Sequence, residues 1–316
     1  MDEDNFNIEN PSPEEPGSNP AGRLKPKISP VGAAFIALFL IFILYQGMGG
    51  ILTILILGTD LDKMDPSLLR LMTIAGQMLF ILLPTLILSK ILYEDVSTVI
   101  RFKYPKLKEG VLFFIGFIII LPLMQNLSYL QSLAIDKLAE GNSVVHQVKQ
   151  FFDSLDKLVG NSQNSLFMVK SFPDVIIIVI AIAVTPAVCE EIFFRGFIQK
   201  SFELKWNPFW SITICSAVFA LYHFSPYGFI PLFLLSVFLG YAAYKSGSIF
   251  IPMAIHFANN FFMIILYFIV GVQAVENKPA PEGPLSSYLI LLFFNIVVFI
   301  VWIYFVRNFY RKKKTN

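Results

Sequence analysis

The sequence predicts an all-α fold, a polytopic membrane helix bundle of about eight transmembrane helices with both termini cytoplasmic. Three observations carry this. The chain is 56% hydrophobic and only 15% charged, with mean hydropathy +0.67, whereas a soluble domain has about a quarter of its residues charged. Apolar runs long enough to cross about 30 Å of hydrocarbon recur along it. Lysine and arginine cluster in alternate loops, which orients a membrane protein. The formal net charge of +2 is small, and the basic residues sit at the ends of apolar runs rather than in a stripe, so no nucleic-acid partner is expected.

Residues 1–28 are rich in acidic residues, Asn, Pro, Ser and Gly, a composition that cannot offset the entropy cost of folding, and they read as a disordered tail. They lack the apolar core of a signal peptide. A single membrane-embedded domain follows over 29–308, with spans at about 31–58, 67–92, 110–131, 174–199, 208–224, 228–244, 248–271 and 285–307. Residues 309–316 form a basic C-terminal tail. The stretch 132–173 is charged and mixed, with Val145, Val148, Phe151, Phe152, Leu155 and Leu158 at helical spacing. It reads as an amphipathic interfacial helix, a surface element in preference to a lid. His146 within it is read as solvated. Arg23, Lys25 and Lys27, Arg101 to Lys108, Lys200 and Lys205, Lys245, and Arg307 to Lys314 all fall on one side of an eight-span bundle. That side is the cytoplasm if basic loops stay inside. Cys189 and Cys215 lie in apolar runs and read as packing residues.

Ionisable side chains inside spans cost about 2.5–3.5 kcal/mol each and usually mark a site facing a bundle interior. Here they are Glu190, Glu191 and Arg195 in the fourth span, His223 at the end of the fifth, and His256 with Asn260 in the seventh. Glu191 and Arg195 stand one helical turn apart, the spacing of an ion pair. Glu190 is turned about 100° away, so one glutamate is structural and the other is free for chemistry, as a general base in apolar surroundings. Glu190 and His223 lie almost equally far from the turn at Trp206, Asn207 and Pro208, so two antiparallel helices would bring them to one depth. Since Glu190 sits in a helix that leaves the membrane towards Lys200, the site is expected to open to the cytoplasm or laterally into that leaflet.

The motifs Glu190-Glu191-Ile192-Phe193-Phe194-Arg195-Gly196, Phe219-Ala220-Leu221-Tyr222-His223-Phe224 and His256-Phe257-Ala258-Asn259-Asn260, the last preceded by Ser246-Gly247-Ser248 and Pro252, resemble the three signatures of the CAAX protease and bacteriocin-processing family of intramembrane proteases. The resemblance covers about 174–271. It implies hydrolysis of a peptide bond in a membrane-associated protein or peptide, with Glu190 activating water, His223 and His256 positioning or polarising it, Asn260 stabilising the oxyanion, and Glu191 and Arg195 in support. It also implies a divalent metal such as zinc as one option, with Glu190, His223 and His256 as ligands. The chain lacks H-E-x-x-H, so such a set would have to be assembled from separate helices, and a metal-free glutamate mechanism is equally coherent. Relatives act on prenylated proteins, or in peptide maturation and bacteriocin immunity, so the expected partners are membrane lipid and a protein or peptide substrate, lipidated or not. The competing readings are a non-catalytic membrane partner or immunity protein on the same fold, and a proton-coupled transporter, for which no inverted repeat is found. The lack of transit and retention signals points to a bacterial inner membrane.

Overall fold

The computed structural model describes residues 24, 26–58, 65–270 and 284–315. It is all-helical among these residues. Seven helices are long and apolar enough to cross a membrane: α1 (Pro30–Leu57), α2 (Pro66–Tyr93), α3 (Leu107–Gly141), α5 (Phe172–Glu203), α7 (Phe229–Ser246), α8 (Phe250–Val270) and α9 (Leu285–Thr315). Between them lie α4 (Ser143–Phe167), which is amphipathic, and the short apolar α6 (Pro208–Tyr222). The chain is thus a multi-pass membrane protein. The expected fifth span is α6, whose 15 residues extend only about 22 Å at 1.5 Å per residue, short of the hydrocarbon thickness.

Local sequence explains most boundaries. Asp65 caps α2 through bonds to the Ser67 and Leu68 amides, with Pro66 at the first helical position. Asn207 caps α6 on the Trp210 amide, followed by Pro208. Gly247 ends α7 in the left-handed conformation at φ 64°, which costs a residue without a Cβ least. Three of the long helices contain wide, π-helical turns, at Ile43–Gly49, Met78–Leu82, and both Val179–Val184 and Ile192–Ile198 in α5. Such turns are costly and often accompany functional sites.

Of the N-terminal segment expected to be disordered, residues 1–23 and 25 lie outside the described residues. Residues 24 and 26–28 are ordered: Leu24 is buried in the core, and the Lys27 amide donates to the Leu92 carbonyl. At the other end, the expected basic tail continues α9 as helix to Thr315 because no Gly or Pro interrupts it, and Lys313 pairs with Glu109 at 2.9 Å. The expected third span also overshoots, since α3 runs to Gly141.

The expected amphipathic helix in 132–173 is α4. Its polar flank ties it to the bundle: Asp153 accepts from the Tyr227 hydroxyl and pairs with Lys149, while His146 is exposed, as expected, and meets Gln150. Its C-terminal end is fixed by Arg70 of α2. That guanidinium is fully buried and donates to the carbonyls of Leu166 and Met168 and to Asp174 of α5 at 2.9 Å. Asp174 also accepts from the Lys170 and Ser171 amides and the Ser171 hydroxyl. Arg70→Ala should cost about 3 kcal/mol, the low end for a broken buried pair because Asp174 keeps those other donors. A lower unfolding temperature in detergent, with faster proteolysis between Phe167 and Phe172, is the expected readout.

Candidate active site

The site is organised around Glu191. Its Oε1 accepts from Arg195 Nη1 at 2.7 Å, one turn along α5, and from His256 Nδ1 at 2.8 Å on α8. Arg195 also donates to the Ser236 hydroxyl on α7 at 2.8 Å, and its guanidinium lies over the Phe219 ring of α6, 4.5 Å from the centroid. Glu191 and Arg195 have no solvent exposure, and His256 has 3%. The expected ion pair is therefore present, and it draws in His256, which the sequence had assigned to the neighbouring glutamate. The reason lies in the helix face: Glu191 faces α8, while Glu190, turned about 100° from it, faces the cavity. A carboxylate can only accept, so the proton on the imidazole is assigned to Nδ1, leaving Nε2 an acceptor.

Close packing sets the depth of this cluster. A Cβ on Gly196 would stand 3.0 Å from the Ile100 backbone, so the motif glycine lets the segment after α2 press against α5. Arg101 in that segment donates to the Arg195 carbonyl and pairs with Glu203 at 2.6 Å. Phe193, Phe194, Phe197 and Phe202 are all buried and fill the Lys200 end of α5.

Glu190 is held differently. Its Oε1 is 3.5 Å from Gln77 Nε2 of α2, and its Oε2 is buried with no hydrogen-bond donor from the protein among the described residues. The nearest group to Oε2 is His223 Nε2, at 4.0 Å. His223 sits at the C-cap of α6, and its Nδ1 donates to the Phe219 carbonyl at 2.8 Å. That bond satisfies a carbonyl left over at the helix end and makes Nε2 the acceptor nitrogen. The shortness of α6 is what brings this imidazole to mid-bundle depth. Asn260 donates from Nδ2 to the Ile182 carbonyl at 2.9 Å, beside the π turn of α5, and its Oδ1 accepts from Asn259.

Glu190, His223, His256 and Asn260 line one cavity of about 800 Å³, walled also by Gln77, Pro122, Gln125, Asn164, Phe167, Leu235 and Tyr267. The four residues picked from sequence are therefore brought together. Glu191 and Arg195 stand behind them. The cavity runs from Glu190 towards the N-terminal half of α5, the start of α7 and the end of α4, away from Lys200 and Lys245. This corrects the expectation that it opens at the basic end, which the buried phenylalanines close. Sequence reasoning passed over Gln77 and the α4 end. A carboxamide inside an apolar span was the available signal for the first; for the second there was none.

For a metal, the fit is poor. Among the described residues no three His, Cys, Asp or Glu side chains gather closely enough to hold one ion. The Nδ1 bond to Glu191 leaves His256 Nε2 available, but Glu190, His223 and His256 are not gathered closely enough to form a ligand set.

Residues 172–262 match the family described as type II CAAX prenyl endopeptidase Rce1-like. The chain carries a CAAX protease-family domain. The domain runs from α5 into α8 and contains Glu190, Glu191, Arg195, His223, His256 and Asn260, while Gln77 of α2, Asn164 and Phe167 of α4 and Tyr267 at the end of α8 lie outside it. That domain is CAAX prenyl protease-like and supports a peptidase identity for the chain. No curated protein and no solved structure matches the chain.

Removing one partner of a fully buried pair typically costs about 3–5 kcal/mol. Arg195→Ala should therefore lower folded yield and unfolding temperature, whereas Glu190→Gln, which strands no partner, should leave both near wild type. Thermal unfolding in detergent that ranked the two variants the other way round would mean the glutamates' tasks are exchanged.

Proposed function

We propose that the protein is an intramembrane endopeptidase in which Glu190 takes a proton from the attacking water. One observation carries this reading: Glu190 Oε2 and His223 Nε2 are two acceptors 4.0 Å apart on the wall of one cavity. Neither can donate to the other, and one water supplies two donors, each reaching about 2.8 Å. A water bridging them has its lone pairs turned outward to a substrate carbonyl. Attack forms the new carbon–oxygen bond as the proton passes to Glu190. Collapse of the tetrahedral intermediate breaks the carbon–nitrogen bond, and Glu190 returns the proton to the leaving amine. Asn260 has one N–H committed to Ile182 and a second with which to stabilise the oxyanion, a role in which one preorganised donor is worth about 3–4 kcal/mol. His256 offers its acceptor Nε2 to the water or the leaving amine from across the cavity, its ring held by Glu191. Glu191 and Arg195 fix the geometry and take no proton.

The substrate is a membrane-associated protein or peptide that reaches the cavity from the bilayer. The apolar wall suits a hydrophobic or lipidated segment. The test is purified protein in detergent against a library of fluorescence-quenched membrane peptides, run beside Glu190→Ala and with a chelator. Cleavage by wild type that survives chelation and falls at least about 100-fold in the variant is expected, the scale of general-base catalysis. Equal cleavage by both removes Glu190 from the mechanism; loss on chelation restores a metal ligand set; no cleavage of any member favours a non-catalytic partner.

Orientation follows the basic loops: α6 and α7 pair as one hairpin whose ends at Pro208 and Ser246 lie on the same side, so the other six long helices leave both termini in the cytoplasm of a bacterial inner membrane. The cavity then opens on the non-cytoplasmic side, beneath α4. In intact cells, cysteines at Ser128 and Asn164 should react with an impermeant maleimide, and one at Lys205 should not; the reverse pattern would invert the topology.

A further inference from the structure

We propose that Gln77 is a positioning residue for Glu190, an assignment that rests on the mechanism above. Gln77 comes from α2, outside the matched domain, and is 4% exposed. Its Nε2 is the one protein donor within reach of the Glu190 carboxylate among the described residues. By engaging Oε1, it leaves Oε2 for the gap facing His223.

The surroundings of Gln77 are arranged for this. The residue ends the regular part of α2, immediately before the π turn Met78–Leu82. The Tyr45 ring of α1 packs against the preceding residue, where a Cβ on Gly76 would stand 3.6 Å from it. Gln77 Oε1 is buried, receives no hydrogen bond, and belongs to a side chain that lines the cavity. The Tyr45 side chain also hydrogen-bonds the Gln77 carboxamide, so the amide is held on one side by α1 and turned towards Glu190 on the other.

A residue that merely fills space and one that positions the base separate on two measurements. Gln77→Leu preserves volume and removes both the donor and the unsatisfied oxygen. Its unfolding temperature in detergent should stay near that of wild type. On the library peptide that wild type cleaves fastest, kcat should fall about ten-fold or more with KM nearly unchanged, as for loss of a hydrogen bond to a charged group. Gln77→Met should repeat both effects. Wild-type kcat overturns the assignment, and so does loss of folded yield in both variants, which would make Gln77 a structural residue. Glu190→Gln, assayed in parallel, separates the two levels. If it is inactive while Gln77→Leu is normal, only the role of Gln77 falls; if it is active, the mechanism and the role fall together.

Discussion

A single carboxylate, Glu191, holds the helices of the site in place. It accepts from Arg195 on its own helix and from His256 on α8, and Arg195 reaches Ser236 on α7 and stacks on Phe219 of α6. Four helices are joined through two side chains that water does not touch. In hydrocarbon there is little hydrophobic force to choose one helix rotation over another, because lipid tails are as apolar as leucine. A buried ion pair completed by hydrogen bonds makes that choice, since any rotation that separates the partners strands a charge. The pair adds little net stability by comparison with an apolar core of the same volume. What it contributes is register, and the site depends on register.

Adjacent residues on one helix consequently have opposite fates. Glu191 holds two close donors, Arg195 and His256, on one oxygen and is fixed in the packed interior; Glu190, one position earlier, has a single distant donor and faces a cavity. A regular helix separates them by about 100°, and the π turns on either side of Thr185–Glu191 set that short helical stretch apart from the rest of α5. The same economy appears at His223, where a helix too short to span the bilayer ends at the wall of the cavity. Its terminal carbonyl recruits the imidazole and thereby sets the tautomer. In each case a local departure from regular helix supplies a polar group at a depth where a straight helix would bury only hydrocarbon.

The matched domain supplies the motifs but not the whole enclosure. Arg70 ties the end of α4 to α2 and α5, Tyr227 ties its middle to the loop after His223, and Phe167 stacks on Tyr267 of α8 with ring centroids 3.9 Å apart. The amphipathic helix thus roofs the cavity near its rim, with Asn164 and Phe167 in the wall. The reading of this segment as a surface helix captured its periodicity and half of its situation. Its outer face is exposed, while its C-terminal turn belongs to the site.

Helix content, the approximate spans and the identity of the polar residues were legible in the chain itself, because periodicity, capping residues and the cost of ionisable groups in lipid are local properties. The Glu191–Arg195 pairing was legible for the same reason, being a matter of spacing within one helix. What the chain could not fix was which glutamate His256 would meet, which end of the bundle the cavity would favour, and that Gln77 would reach Glu190. Those outcomes depend on helix rotation and on where aromatic side chains fill space. Rotation is set by contacts between segments far apart in sequence, and a wide turn of one extra residue redirects every side chain after it. Only the packed bundle decides such things.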